Sequence, residues 1–179
     1  MHDSEARPDP QLRSGPERRM DDGTAAGWSG LIAGAVYLLA QMTLATLVRH
    51  DSPWASLQRI SALLLGPDAL PPPGRISLTI AGFALMIHFS LAFCYGRLVG
   101  QLLRRIPPAL GWLGGAACGL AIYVVNFHVI GPFLFPWFAD SQGPVTWLDH
   151  VLFGVVVAMS FLALRAGRGD TARLAGRLS

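Results

Sequence analysis

Residues Ala109–Gly131 read ALGWLGGAACGLAIYVVNFHVIG, without one Asp, Glu, Lys or Arg. A helix rising about 1.5 Å per residue needs about 20 apolar residues to cross a hydrocarbon core of about 30 Å. This stretch has that length, and so do Gly27–Val48, Ile76–Gly96 and Val145–Leu164, none of which contains Arg or Lys. Backbone polar groups find no water in the bilayer core, so a run of this kind must be helical. The expected fold is therefore all-α: a four-helix transmembrane bundle.

Composition agrees with that expectation. Apolar residues make up 52% of the chain and charged residues 14%, against about a quarter charged in soluble domains. The cationic residues are all Arg, and the sequence pI of 9.4 reads as topology signalling at a membrane surface rather than as nucleic-acid binding. Cys94 and Cys118 both fall inside spans and read as small packing residues. Residues 1–26 are polar, without apolar periodicity, and read as a disordered cytoplasmic tail rather than a cleavable signal peptide. Residues 27–166 form the membrane domain, and 167–179 a basic cytoplasmic tail.

The arginines set the expected topology. Arg7, Arg13, Arg18, Arg19, Arg97, Arg104, Arg105, Arg165, Arg168, Arg173 and Arg177 share one side of a four-crossing chain, and Arg49, Arg59 and Arg75 the other. Eleven against three puts both termini in the cytoplasm of a bacterium, with the protein in its inner membrane. The first periplasmic connection carries a short helix of its own over about 53–65. Ser52 caps it, Pro53 opens it, and Gly66-Pro67 ends it. Trp54, Leu57, Ile60 and Leu64 recur at helical spacing, with Gln58 and Arg59 away from them, as in a helix lying at the interface. The Pro71-Pro72-Pro73-Gly74 run leads stiffly into span two. The second connection, Gly131 to Phe138, is aromatic and broken by proline; it suits an interfacial belt, or a lid over a site.

Helices in lipid associate through small residues and interhelical hydrogen bonds. Gly30 and Gly34 mark such a face in span one, Ala81, Ala84 and Ala92 in span two, Gly111, Gly115 and Gly119 in span three, and Gly154 in span four. Each face carries one polar side chain in line with its small residues: Gln41, His88, Asn126 and His150. Gln41, Asn126 and His150 lie about 8–10 Å from the periplasmic ends of their spans, and His88 about 18 Å in. His128 and Asp149 are at the shallow level; His128 points away from the glycine ridge, and Asp149 suits the helix start. An intramembrane polar cluster in the periplasmic half is the expected site.

No HExxH, GxxxxGK, GxSxG or strand-to-helix dinucleotide loop occurs. The stretches Ser52-Pro53-Trp54 through Leu65-Gly66-Pro67, Ile87-His88-Phe89-Ser90, Leu120 to Phe127, Phe135-Pro136-Trp137-Phe138 and His150 to Gly154 resemble a family of uncharacterised four-span bacterial inner-membrane proteins. More distantly the chain is similar to YagU-like proteins, which share a Pro-Trp followed by a His near the last span. That resemblance implies a loose association with acid tolerance and no mechanism. The expected function is a non-enzymatic structural, partner-binding or envelope-stress bundle, in a pH-responsive form through His88 and His150. The alternatives are a haem or metal protein using His88, His128 or His150, and an oligomeric small-solute permease. No cofactor is predicted on the leading reading. The expected partners are the lipid bilayer and a second copy or another membrane protein.

Overall fold

The computed structural model describes residues 21–70 and 77–175. The Pro71–Gly74 run and Arg75 lie outside the described residues, as does the tail before Asp21. The described residues contain helices and no strand. Four helical stretches are long and apolar enough to cross a membrane: Asp22–Val48, Leu78–Leu103, Pro108–Leu134 and Pro144–Ala166. Only 11 to 39% of the apolar window in each is buried inside the protein, so the outer faces present hydrocarbon to hydrocarbon. The chain is a multi-pass integral membrane protein with an all-α, four-helix fold.

Helix α1 (Asp22–Arg49) starts five residues before the expected Gly27. Asp21 is the reason: its carboxylate accepts from the Thr24 N–H at 2.9 Å, and Asp22 adds an acidic residue to the first turn. Hydrogen bonding to Thr24 holds the Asp21 carboxyl below its ordinary pKa, with Arg97 adding a smaller pull. Helix α2 (Pro53–Leu65) has the expected bounds, with Ser52 as cap and Gly66 at φ 83° ending it. Its face toward the bundle is lined mostly by small residues. Ala55, Ser56, Leu57, Ser61 and Ala62 are buried, whereas Trp54 and Leu64 are 41% and 59% exposed. Small residues let α2 approach closely, so the large apolar ones turn outward.

Helix α3 (Leu78–Leu103) runs seven residues past the expected Gly96. Arg97 is accommodated with its guanidinium 5.8 Å from the Phe93 ring centre, a basic side chain lying along apolar surface. The third span is not one regular helix. Helix α4 (Gly111–Val124) passes into a π-helical segment, Val125–Ile130, and then into the short α5 (Gly131–Leu134). Pro132 accounts for the ending. It has no N–H to donate, and the Gly131 N–H bonds Asn126 five residues back. The Phe127 carbonyl instead accepts from the Gln142 side chain at 3.0 Å. Helix α6 (Pro144–Ala175) continues well beyond the expected Leu164.

Around the bundle the order is α3, α1, α6, α4. The α1–α3, α1–α6 and α4–α6 contacts are extensive, while α3 meets α4 only sparsely. Glycines make the close crossings. A Cβ on Gly30 would collide with the Ala92 carbonyl of α3, and one on Gly154 with the Gly115 carbonyl of α4. Gly34 faces Ala92 and His88, Gly119 faces the His150 backbone, and Gly111 meets Leu162. The central core is correspondingly small-residued, with Ala33, Ala92 and Ala158 around Val157 and Phe161. Helix α2 packs across α1 and α3 through Leu57, Leu38 and Ala84.

Candidate functional site

At the end of the bundle that carries α2, the four spans enclose a cavity. Its empty space, adjoining open space included, is about 850 Å³. Tyr37 and Gln41 of α1, His88 and Tyr95 of α3, Phe127 of the π segment and His150 of α6 all line it. Helix α2 contributes Arg59 and Ile60, and the second connection contributes Phe138. Leu91 also lines the cavity and is 41% exposed, so it stands at the mouth. Helices α3 and α4, which meet only sparsely, both contribute to the lining.

The two histidines are held alike. His88 Nε2 donates to the Gly34 carbonyl at 2.8 Å, and His150 Nδ1 to the Thr146 carbonyl at 2.7 Å. A carbonyl cannot donate, so each of those nitrogens carries the hydrogen. In the neutral ring the other nitrogen, Nδ1 of His88 and Nε2 of His150, is left with a lone pair. Tyr37 packs against both, with ring centres 5.6 Å from His88 and 5.1 Å from His150. Tyr123 and Phe127 complete the surroundings of His150 at 5.8 and 5.6 Å. The crossed ring planes around His150 are favourable edge-to-face arrangements.

Arg59 reaches the cavity while paired to Asp51 at 2.9 Å through Nη2. Its other terminal nitrogen, Nη1, is buried without a hydrogen-bond partner, and so is Gln41 Oε1. A buried polar atom without a partner costs about 1–3 kcal/mol.

The cavity gathers Gln41, His88 and His150 from the expected cluster. Asn126 lies beside it and accepts from the Tyr95 hydroxyl at 2.7 Å. His128 does not join: it is exposed, its ring edge-on to Tyr123 at 5.3 Å. Asp149 is fully buried but does not line the cavity. The expectation that it suits the helix start is corrected, because α6 begins at Pro144 and puts it beyond the first turn. Among the described residues no three His, Cys, Asp or Glu gather in a metal-binding group. Sequence reasoning missed Tyr37, Tyr95 and Arg59. Tyr37 lies three residues after Gly34 and four before Gln41, and Tyr95 lies seven after His88, so both share faces already marked by small residues.

Comparison with known proteins finds no matching family model, no similar curated protein and no similar solved structure.

Proposed function

We propose that this chain is a non-enzymatic protein of a bacterial inner membrane, with cytoplasmic termini, that binds a small lipid-soluble molecule between its spans. The observation that carries the reading is the cavity itself, walled by all four spans and α2 and open beside Leu91. Its described lining contains no carboxylate, Ser or Cys, which supports binding rather than covalent catalysis. The arginine asymmetry supports the orientation, with the cavity in the periplasmic half.

The test is native mass spectrometry of protein released from mild detergent after exposure to a bacterial lipid extract. A retained small molecule, lost in Leu91→Trp because the indole fills the mouth, is the expected result. Protein carrying no adduct in either form overturns the reading.

A second reading, a pH-responsive bundle, is favoured by one observation: His88 and His150 both contact Tyr37 on the cavity wall. Protonation would turn each lone pair into a donor and bring charge into the cavity. Acid survival of a deletion strain, restored by the native chain and equally by His88→Ala with His150→Ala, would remove this second reading.

A further inference from the structure

The end of the bundle opposite α2 carries a second, smaller hollow, separate from the cavity and independent of the ligand-binding reading. The start of α1 forms one wall, with Asp22 and Gly23, and the last turns of α3 form the other, with Arg97, Gln101 and Arg104. Small residues let the walls approach. A Cβ on Gly100 would collide with the Ala26 side chain, and one on Gly23 would lie 3.3 Å from both terminal nitrogens of Arg97. The Arg97 guanidinium therefore reaches across from α3 to the first turn of α1. Arg97, Gln101 and Arg104 are four and then three residues apart, so they occupy one row of α3 and converge on the hollow.

Charge decides what the hollow takes. Asp22 is held by Arg165 at 3.5 Å, and Asp21 accepts from Thr24 at the helix cap. Neither Arg97 nor Arg104 belongs to an ion pair among the described residues. Arg97 lies 5.8 Å from the Phe93 ring centre, a contact that uses none of its N–H donors. Arg97, Arg104 and Arg165 thus meet Asp21 and Asp22 with one positive charge in excess. Two guanidiniums facing one hollow suit an oxyanion, and their forked N–H groups match phosphate best. The donors are side chains of α3; the end of α1 is already capped by Asp21.

Depth decides where the oxyanion comes from. The spans that wall the hollow begin at Asp22 and end at Leu103, so it lies where hydrocarbon gives way to headgroups. Phe93, one turn deeper than Arg97, is 39% exposed and offers its ring to an acyl chain. A basic pocket between spans at this level recognises anionic lipid heads. A zwitterionic head would bring its own ammonium beside the two guanidiniums. We propose that the hollow between α1 and α3 is a binding site for an anionic phospholipid, its phosphodiester held between Arg97 and Arg104 beside the Gln101 amide, its chain passing over Phe93.

The test is native mass spectrometry of the full chain in mild detergent, titrated with phosphatidylglycerol or with phosphatidylcholine of the same acyl chains. Phosphatidylglycerol should bind about tenfold tighter, and Arg97→Gln with Arg104→Gln should bring the two lipids to equal affinity. Arg104→Gln alone should weaken phosphatidylglycerol about fivefold, the usual effect of one arginine near an anionic head. Arg105→Gln, on the same turn but outside the hollow, should leave it unchanged. Equal affinity for the two lipids in the native protein overturns the proposal. A loss from Arg105→Gln as large as that from Arg104→Gln reveals a diffuse basic surface and overturns the site. Displacement of the lipid by inorganic phosphate at equal concentration overturns the lipid as its source. If the double variant does not fold, the comparison of Arg104→Gln with Arg105→Gln decides.

Discussion

Tyr95 Oη donates to Asn126 Oδ1 at 2.7 Å, tying α3 to the third span along the seam where those two helices otherwise barely touch. Tyr95 also lines the cavity, so this bond holds one of its walls. Tyr95→Phe removes the hydroxyl and keeps the ring. The expected loss of stability is about 0.6 kcal/mol, the usual worth of an interhelical hydrogen bond in membranes. A double-mutant cycle with Asn126→Ala, followed by denaturant unfolding in detergent, should show that the second change adds almost nothing once the first is made.

Glycines divide into two kinds. Gly154→Ala drives a methyl into the Gly115 carbonyl, and the α4–α6 crossing must part to admit it, at about 1–3 kcal/mol. Gly82→Ala meets nothing within 4 Å and gains helix propensity, about 1 kcal/mol in the stabilising direction. Opposite shifts in melting temperature check both; equal shifts would contradict the packing.

Stability at the N-terminal end of α1 is expected to be acid-sensitive. The Asp21 carboxyl titrates below its ordinary value when folded, because the charged form accepts from Thr24. A depressed folded pKa means the contribution is complete above the unfolded value and is lost as pH falls through the folded one. Hydrogen exchange in the first turn of α1, corrected for its intrinsic pH dependence, should therefore rise between about pH 5 and about pH 3. Asp21→Ala should exchange fast across that whole range.

His50 ends α1 at φ 56°, the one non-glycine residue with positive φ among those described. Its N–H reaches the Ala45 carbonyl, as in a left-handed helix cap. His50→Gly relieves the conformational cost, about 1 kcal/mol or more, offset in part by the freer unfolded chain. A modest rise in melting temperature is expected, and a fall would show that the imidazole has another role.

Orientation has its own test. In a chain with Cys94→Ala and Cys118→Ala, single cysteines at Ser52 and Gln142 should react with an impermeant maleimide added to intact cells. One at Gln101 should react only after lysis. The reverse pattern would turn the protein over.

The spans are legible in the sequence because apolar length is a one-dimensional property. So are the close crossings, since Gly30, Gly34, Gly115, Gly119 and Gly154 announce small faces at helical spacing. The face of α2 is not. Trp54 and Leu64 mark the apolar face of a helix at the interface, and nothing in their spacing says that Ala55 and Ala62 are buried against the bundle or that Arg59 reaches the cavity. In water, area buried decides which face turns inward; in lipid, closeness of approach does. Tyr37 and Tyr95 escape a linear reading because a tyrosine in an apolar run passes for bulk, and only the three-dimensional fold shows what its hydroxyl meets. The helix ends at Leu103 and Ala175 escape it because charge marks a span's edge in the sequence, whereas an arginine with a ring to lie on continues a helix.

The widened turn at Val125–Ile130 bears on how this chain tolerates change in length. A π turn takes in about one residue more than an α turn, so it absorbs a surplus residue without passing that residue's rotation to the helix beyond. Removing one residue inside it would let the backbone close to α geometry while Gly131 to Leu134 and the aromatic connection keep their direction. Regular helix upstream has no such slack. Removing Ala117 would swing the residues beyond it by about 100°, taking Phe127 off the cavity wall and turning its carbonyl from Gln142. The third span thus carries its own expansion joint, set just where a change of length would otherwise unseat the connection that closes over the bundle.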